Sequence, residues 1–114
     1  METISKKNSE HYTWGGSCDG WHLLKSPDLS VIQERVPPGG AETRHMHEHA
    51  QQFFFVLSGE AFMELEDKEL VLGAQEGLFV PPGTPHRLLN RGNMDLCFLV
   101  ISTPPSHGDR VSVE

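Results

Sequence analysis

Cysteine is scarce in this chain. Cys18 and Cys97 are its two cysteines, far apart and without a CxxC partner, so a disulfide scaffold and a thiolate metal cluster drop out. Both read as reduced thiols, with Cys97 an inert member of an apolar strand. Basic residues are also few: nine Lys and Arg face sixteen Asp and Glu, for a formal net charge of −7. Such a surface repels phosphate backbones and carries no basic stripe, so no nucleic acid partner is expected. No window approaches the roughly 18 apolar residues of a membrane span, so no membrane partner is expected either. Met1 to Lys7 has no apolar stretch behind its charges, so a signal peptide is not expected and the cytoplasm is the expected location. No serine sits in a Gly-x-Ser-x-Gly elbow, neither cysteine has a neighbouring His-and-acid signature, and phosphate-cradling glycine loops are absent. Any chemistry is left to a metal.

What is present is turn chemistry. Eleven glycines and eight prolines punctuate a chain of 114 residues that is 37% hydrophobic, which favours one domain of short strands. Strands are expected at Trp21 to Lys25, Leu29 to Val36, from His45 to His47, Phe53 to Leu57, from Ala61 to Glu66, Glu69 to Leu72, Leu78 to Val80, His86 to Leu89 and Asp95 to Ile101. No segment has a helical period with caps. The pattern predicts an all-β, antiparallel sandwich or barrel. Residues 1–11 are expected to be loose, 12–104 to form the barrel and 105–114 to be a tail. Tyr12 to Trp21, mixing aromatics with glycine, reads as a loop that packs.

The histidines carry the chemistry. His45 and His47 are two apart, so on a strand both imidazoles face one point. His86 follows in Pro81-Pro82-Gly83-Thr84-Pro85-His86. Imidazole suits zinc, copper, iron and nickel, and an amide oxygen from Gln52 would complete the set. Gln51 is the alternative to Gln52, since a one-residue slip swaps which faces inward. His49 shares the parity of His45 but reads as a loop histidine; His11, His22 and His107 read as surface. With Gln52 inward, Phe54 and Val56 share its face and line a cavity. Tyr12, Trp14 and Trp21 pack in the core, at the barrel mouth or on a second subunit. Arg35 either binds an acidic substrate group or is an ordinary exposed arginine.

Two glycine-bounded segments, Gly39-x5-His45-x-His47-x4-Gln52-x6-Gly59 and Pro81-x-Gly83-x2-His86-x3-Asn90, resemble the paired motifs of the cupin superfamily, in its small single-domain form. The resemblance implies a jelly-roll (cupin) β-barrel with a divalent transition metal (Fe, Ni, Mn, Cu or Zn) held by His45, His47, Gln52 and His86. Two positions depart from the pattern. Gln75 stands where the second motif has glycine, and Gln52 where the first has glutamate. A glutamine leaves the ion its full charge, which an anionic small-molecule substrate would compensate, and it cannot act as a general base. The resemblance therefore implies a dioxygenase-like enzyme or an isomerase, the former favoured because a redox metal needs no protein base. Non-catalytic sugar or ligand sensing is the alternative, and a structural barrel with incidental histidines a third. A homodimer is also implied, with the aromatic N-terminal segment as the expected contact.

Overall fold

In the computed structural model, which describes residues 1–106 and 108–114, the chain is all β; the expectation for His107 lies outside the described residues. Eleven strands are found among them: β1 Glu10–Trp14, β2 Cys18–Lys25, β3 Ser30–Val36, β4 His45–His47, β5 Gln51–Ser58, β6 Ala61–Glu64, β7 Glu69–Leu72, β8 Gly77–Val80, β9 Arg87–Leu89, β10 Leu96–Thr103 and β11 Arg110–Ser112. All pair antiparallel. One sheet runs in the order β1-β2-β3-β10-β5-β8. The facing layer joins β7-β6-β9 to β4-β11 through the backbone bridges Ala41↔Leu89 and His45↔His86. This is the expected antiparallel jelly-roll barrel.

The core lies between the layers because the strands alternate. β3 buries Ser30, Ile32, Glu34 and Val36 and turns Val31, Gln33 and Arg35 outward, while β10 buries Leu96, Phe98, Val100 and Ser102. Met63 and Ala61 of β6 and Leu88 of β9 meet them from the other layer, each fully buried.

Both ends of the chain are more ordered than the sequence suggests. Tyr12 to Trp14 belongs to β1, which pairs with β2 from Glu10↔His22 to Trp14↔Cys18. Gly15 and Gly16, both at positive φ (58° and 87°), supply the tight turn that joins them. At the other end, β11 pairs with β4 through Arg110↔His47 and Ser112↔His45, where a tail was expected. Asp109 fixes this return: its carboxylate accepts the backbone N–H of Glu48, His49 and Ala50 at 2.8–3.2 Å. A strand reading Arg-Val-Ser has no apolar pattern of its own, and its partner lies some sixty residues earlier.

Gln75 adopts φ 68°, a left-handed backbone that glycine occupies without strain. The position therefore keeps the turn that a glycine would make, with its N–H donated to Val56 O at 2.8 Å.

Candidate metal centre

Strand β4 presents His45 and His47 to the interior, 3% and 6% exposed, with Met46 between them facing away. His86 is drawn beside them by reciprocal backbone hydrogen bonds with His45, at 3.1 and 2.9 Å. The ring centroids lie 4.5 Å (His45–His86), 5.0 Å (His45–His47) and 6.1 Å (His47–His86) apart. One ring nitrogen from each of the three falls within 4.8 Å of the others. The Nδ1 of His45 lies 2.7 Å from Thr43 O, and that of His86 2.9 Å from Thr84 O. A carbonyl only accepts, so both Nδ1 atoms carry the proton and both Nε2 atoms offer a lone pair. Burial pushes the pKa of all three histidines down, to about 4 for His45. They stand neutral at pH 7, the form that binds metal.

Gln52 is the inward member of the glutamine pair: it is 6% exposed, whereas Gln51 is exposed. Its Nε2 donates to Ser102 Oγ at 3.1 Å, while its Oε1 is buried with no hydrogen-bond partner among the described residues. His86 Nε2 and His47 Nδ1 are likewise buried without a partner among them. Buried acceptors left bare cost on the order of 1–3 kcal/mol each, a cost that coordination of a cation would offset. Three neutral imidazoles and an amide oxygen suit a divalent transition ion. The residues present fit such a group.

A cavity of about 280 Å³ opens beside these residues, with His45, His47, Gln52 and Phe54 in its wall. Val56, expected in that wall, is buried in the core cluster. The cavity lining also holds residues that the sequence reading did not single out. Glu34, 9% exposed, accepts a hydrogen bond from Tyr12 Oη at 2.6 Å. Glu42 accepts the Leu88 N–H at 3.0 Å and also lines the cavity. Burial pushes Glu34 up to about 7 against the opposing pull of the Tyr12 hydrogen bond and the Arg110 charge. Glu42 rises to about 8, chiefly by burial and then by the nearby Glu34. The signal was present in Ile32-x-Glu34-x-Val36, an acid within an apolar row. Arg35, one residue on, faces outward and pairs with Asp19 at 2.7 Å. Tyr12 and Trp14 line the cavity. His49 is exposed, as expected, beside Glu48 and Asp109. His11 pairs with Asp19 at 2.8 Å on the surface, but His22 is buried against the Tyr12 ring, centroids 5.0 Å apart.

These shifts predict how the metal-free chain responds to pH. A folded-state histidine pKa near 4 against 6.5 unfolded means that stability is lost as pH falls from 6.5 toward 4. The two carboxyls act oppositely: raised from 4.5 to about 7 and about 8, they contribute stability present below 4.5 and lost as pH rises through 7 and 8. Thermal unfolding should therefore show a net loss on the order of 1 kcal/mol between about pH 6.5 and about pH 8.5. Glu34→Gln/Glu42→Gln should flatten that alkaline limb; an equal slope in both proteins would refute the assignment.

The fold and site together define a small jelly-roll barrel with a buried group of three histidines that could hold a metal ion. Residues 32–102 match the Cupin_2 (Cupin domain) family, and the chain belongs to it. An uncharacterized protein of Methanocaldococcus jannaschii is 30% identical over 94 residues, covering 82% of this chain and 75% of that one. The oxalate-binding protein of Thermotoga maritima is 31% identical over 91 residues, 75% of each chain. Mannose-1-phosphate guanylyltransferase of Klebsiella pneumoniae is 31% identical over 98 residues, 86% of this chain but only 20% of that protein. Among solved structures, the polyketide cyclase RemF from Streptomyces resistomycificus superposes with a TM-score of 0.87 at 20% identity, over 100% of this chain and 86% of that one. That likeness is one of fold.

Proposed function

We propose that this cupin binds a divalent transition metal through His45, His47, His86 and Gln52 and acts as an enzyme on a small, oxygen-rich molecule in the adjoining cavity. The observation that carries the reading is the buried cluster of three neutral imidazoles together with the bare, buried Gln52 Oε1, with His45, His47 and Gln52 lining one cavity. The bound ion would supply Lewis-acid polarisation, or redox chemistry if it is iron, copper or manganese. Arg110 in the wall supplies positive charge for an anionic group of the substrate. Dioxygenase-like and isomerase chemistry both fit the metal ligands. The absence of a protein base no longer favours the first, because Glu34 and Glu42 face the cavity.

The second reading, a non-catalytic binding module, is favoured by the oxalate-binding relative. Oxygen uptake and product analysis on the iron- and zinc-loaded chain, with a panel of hydroxy-carbonyl acids and enediols, separate the two. The enzyme reading expects metal-dependent conversion; oxalate binding by calorimetry with no conversion of any panel member moves the binding module ahead.

No helix among the described residues is long and apolar enough to cross a membrane, and a cytoplasmic location is part of the proposal. So is a homodimer, with a changed contact. Tyr12 and Trp14 are engaged in the cavity wall, whereas Phe53 and Phe79, 40% and 53% exposed, form a cross-strand apolar pair on the outer face of β5 and β8.

A further inference from the structure

We propose that Glu34, oriented by Tyr12, is the catalytic proton carrier of this cavity, serving an isomerisation of an α-hydroxy-carbonyl substrate. The inference rests on the metal-site reading above and gives it a substrate class.

The geometry begins with a row across three strands. Tyr12 of β1 is registered opposite Gly20 of β2, and Gly20 opposite Glu34 of β3. A Cβ at Gly20 would fall on Cζ and Oη of Tyr12. Only the missing side chain lets the phenol ring lie across β2 and place its hydroxyl 2.6 Å from Glu34 Oε2. This bond engages one carboxylate oxygen and fixes the rotamer. Tyr12, Glu34, His45, His47 and Gln52 all line the same cavity. Gln52 cannot accept a proton as a base, so the proton-transfer role falls to a carboxyl that shares its cavity. The titratable and charged groups acting on Glu34 and its surroundings are Tyr12 from β1, Cys18 from β2, Glu42 ahead of β4 and Arg110 from β11. Arg110 is the cation among them. A buried carboxyl that titrates near neutrality suits general acid–base work.

The step balances without an oxidant. The Glu34 carboxylate removes the proton from the carbon beside the carbonyl. The C–H electron pair becomes the C=C bond of an enediolate, and the carbonyl π pair moves onto its oxygen at the histidine wall. The hydroxyl proton then passes to the enediolate oxygen, the same carboxyl returns its proton to the former carbonyl carbon, and the carbonyl re-forms on the carbon that had carried the hydroxyl.

Acetohydroxamate is the probe, because it resembles an enediolate and must lose a proton to chelate a metal. Its binding to the zinc-loaded chain is measured by calorimetry at about pH 8 in buffers of different ionisation enthalpy, which reports protons released. In the unaltered chain Glu34 captures the proton and release is near zero; in Glu34→Gln release should rise to about one proton per ligand. Tyr12→Phe should move the onset of proton capture upward by about one pH unit, since the carboxylate loses its donor, an effect that loosened packing alone does not give. Equal release in the unaltered chain and Glu34→Gln overturns the proposal while leaving the metal site standing. A change confined to Glu42→Gln transfers the role to Glu42 and also overturns it. Zinc bound in no stoichiometric amount, or no hydroxamate bound by any of the proteins, overturns the metal-site reading and this proposal with it.

Discussion

Alanine at both His45 and His86 should empty the chain of transition metal. Tag-free protein purified without chelator should carry about one ion per chain by elemental analysis, and the double variant close to none. Two of the proposed ligands would be gone, and loss of even an outer partner typically costs 10–100-fold in affinity; an affinity drop well above about 100-fold is expected here. The two histidines also hold each other's backbone, through N–H to O bonds of 3.1 and 2.9 Å, and alanine keeps those bonds. The β4 bridge should therefore persist and circular dichroism should change little, separating metal loss from unfolding. A double variant with an undiminished metal content would place the ion elsewhere and sink the assignment.

Phe98→Ala should be the most destabilising single change in the core. The ring is 0% exposed, its strand neighbours are Glu34 on β3 and Val56 on β5, and its centroid lies 6.0 Å from that of Phe54. Removing such a ring loses its transfer free energy and leaves a cavity, at a cost of about 3–5 kcal/mol. For a domain of this size the melting temperature should fall by roughly 10–25 °C. Phe54 stands 5.8 Å from the His86 ring, so the void opens against the side chain that backs His86, and weaker metal retention should accompany the lower melting point. Denaturant titration checks the size; a loss below about 1 kcal/mol would mean that the site collapses around the gap.

The sequence was most informative where short-range periodicity decides the outcome. The His45-x-His47 spacing places both rings on one face of β4, and counting back from Gly59 favours Gln52 over Gln51, of which Gln52 is the buried one. Position 75 shows the reverse: a motif glycine is missing from the sequence, yet Gln75 takes the same left-handed backbone, because the surrounding turn dictates it. What escaped notice was set by distant partners. Strand β11 exists because Asp109 binds backbone some sixty residues upstream, and no local pattern announces that. Glu34 was passed over in favour of Arg35, one residue away and on the opposite face; the apolar residues at 32 and 36 held the parity that separates them. The link from Tyr12 to Glu34 depends on an absent side chain at Gly20, a vacancy that acquires meaning only once three strands lie side by side.

The proposed metal ligands all come from the middle of the chain, residues 45 to 86, whereas part of the cavity lining is borrowed from the flanks: Tyr12 and Trp14 from β1, Arg110 from β11. On the proposed reading, a change at Trp14 or Arg110 would alter what the cavity accepts without touching a proposed metal ligand, so the flanks of the chain would tune a site whose ligands they do not supply.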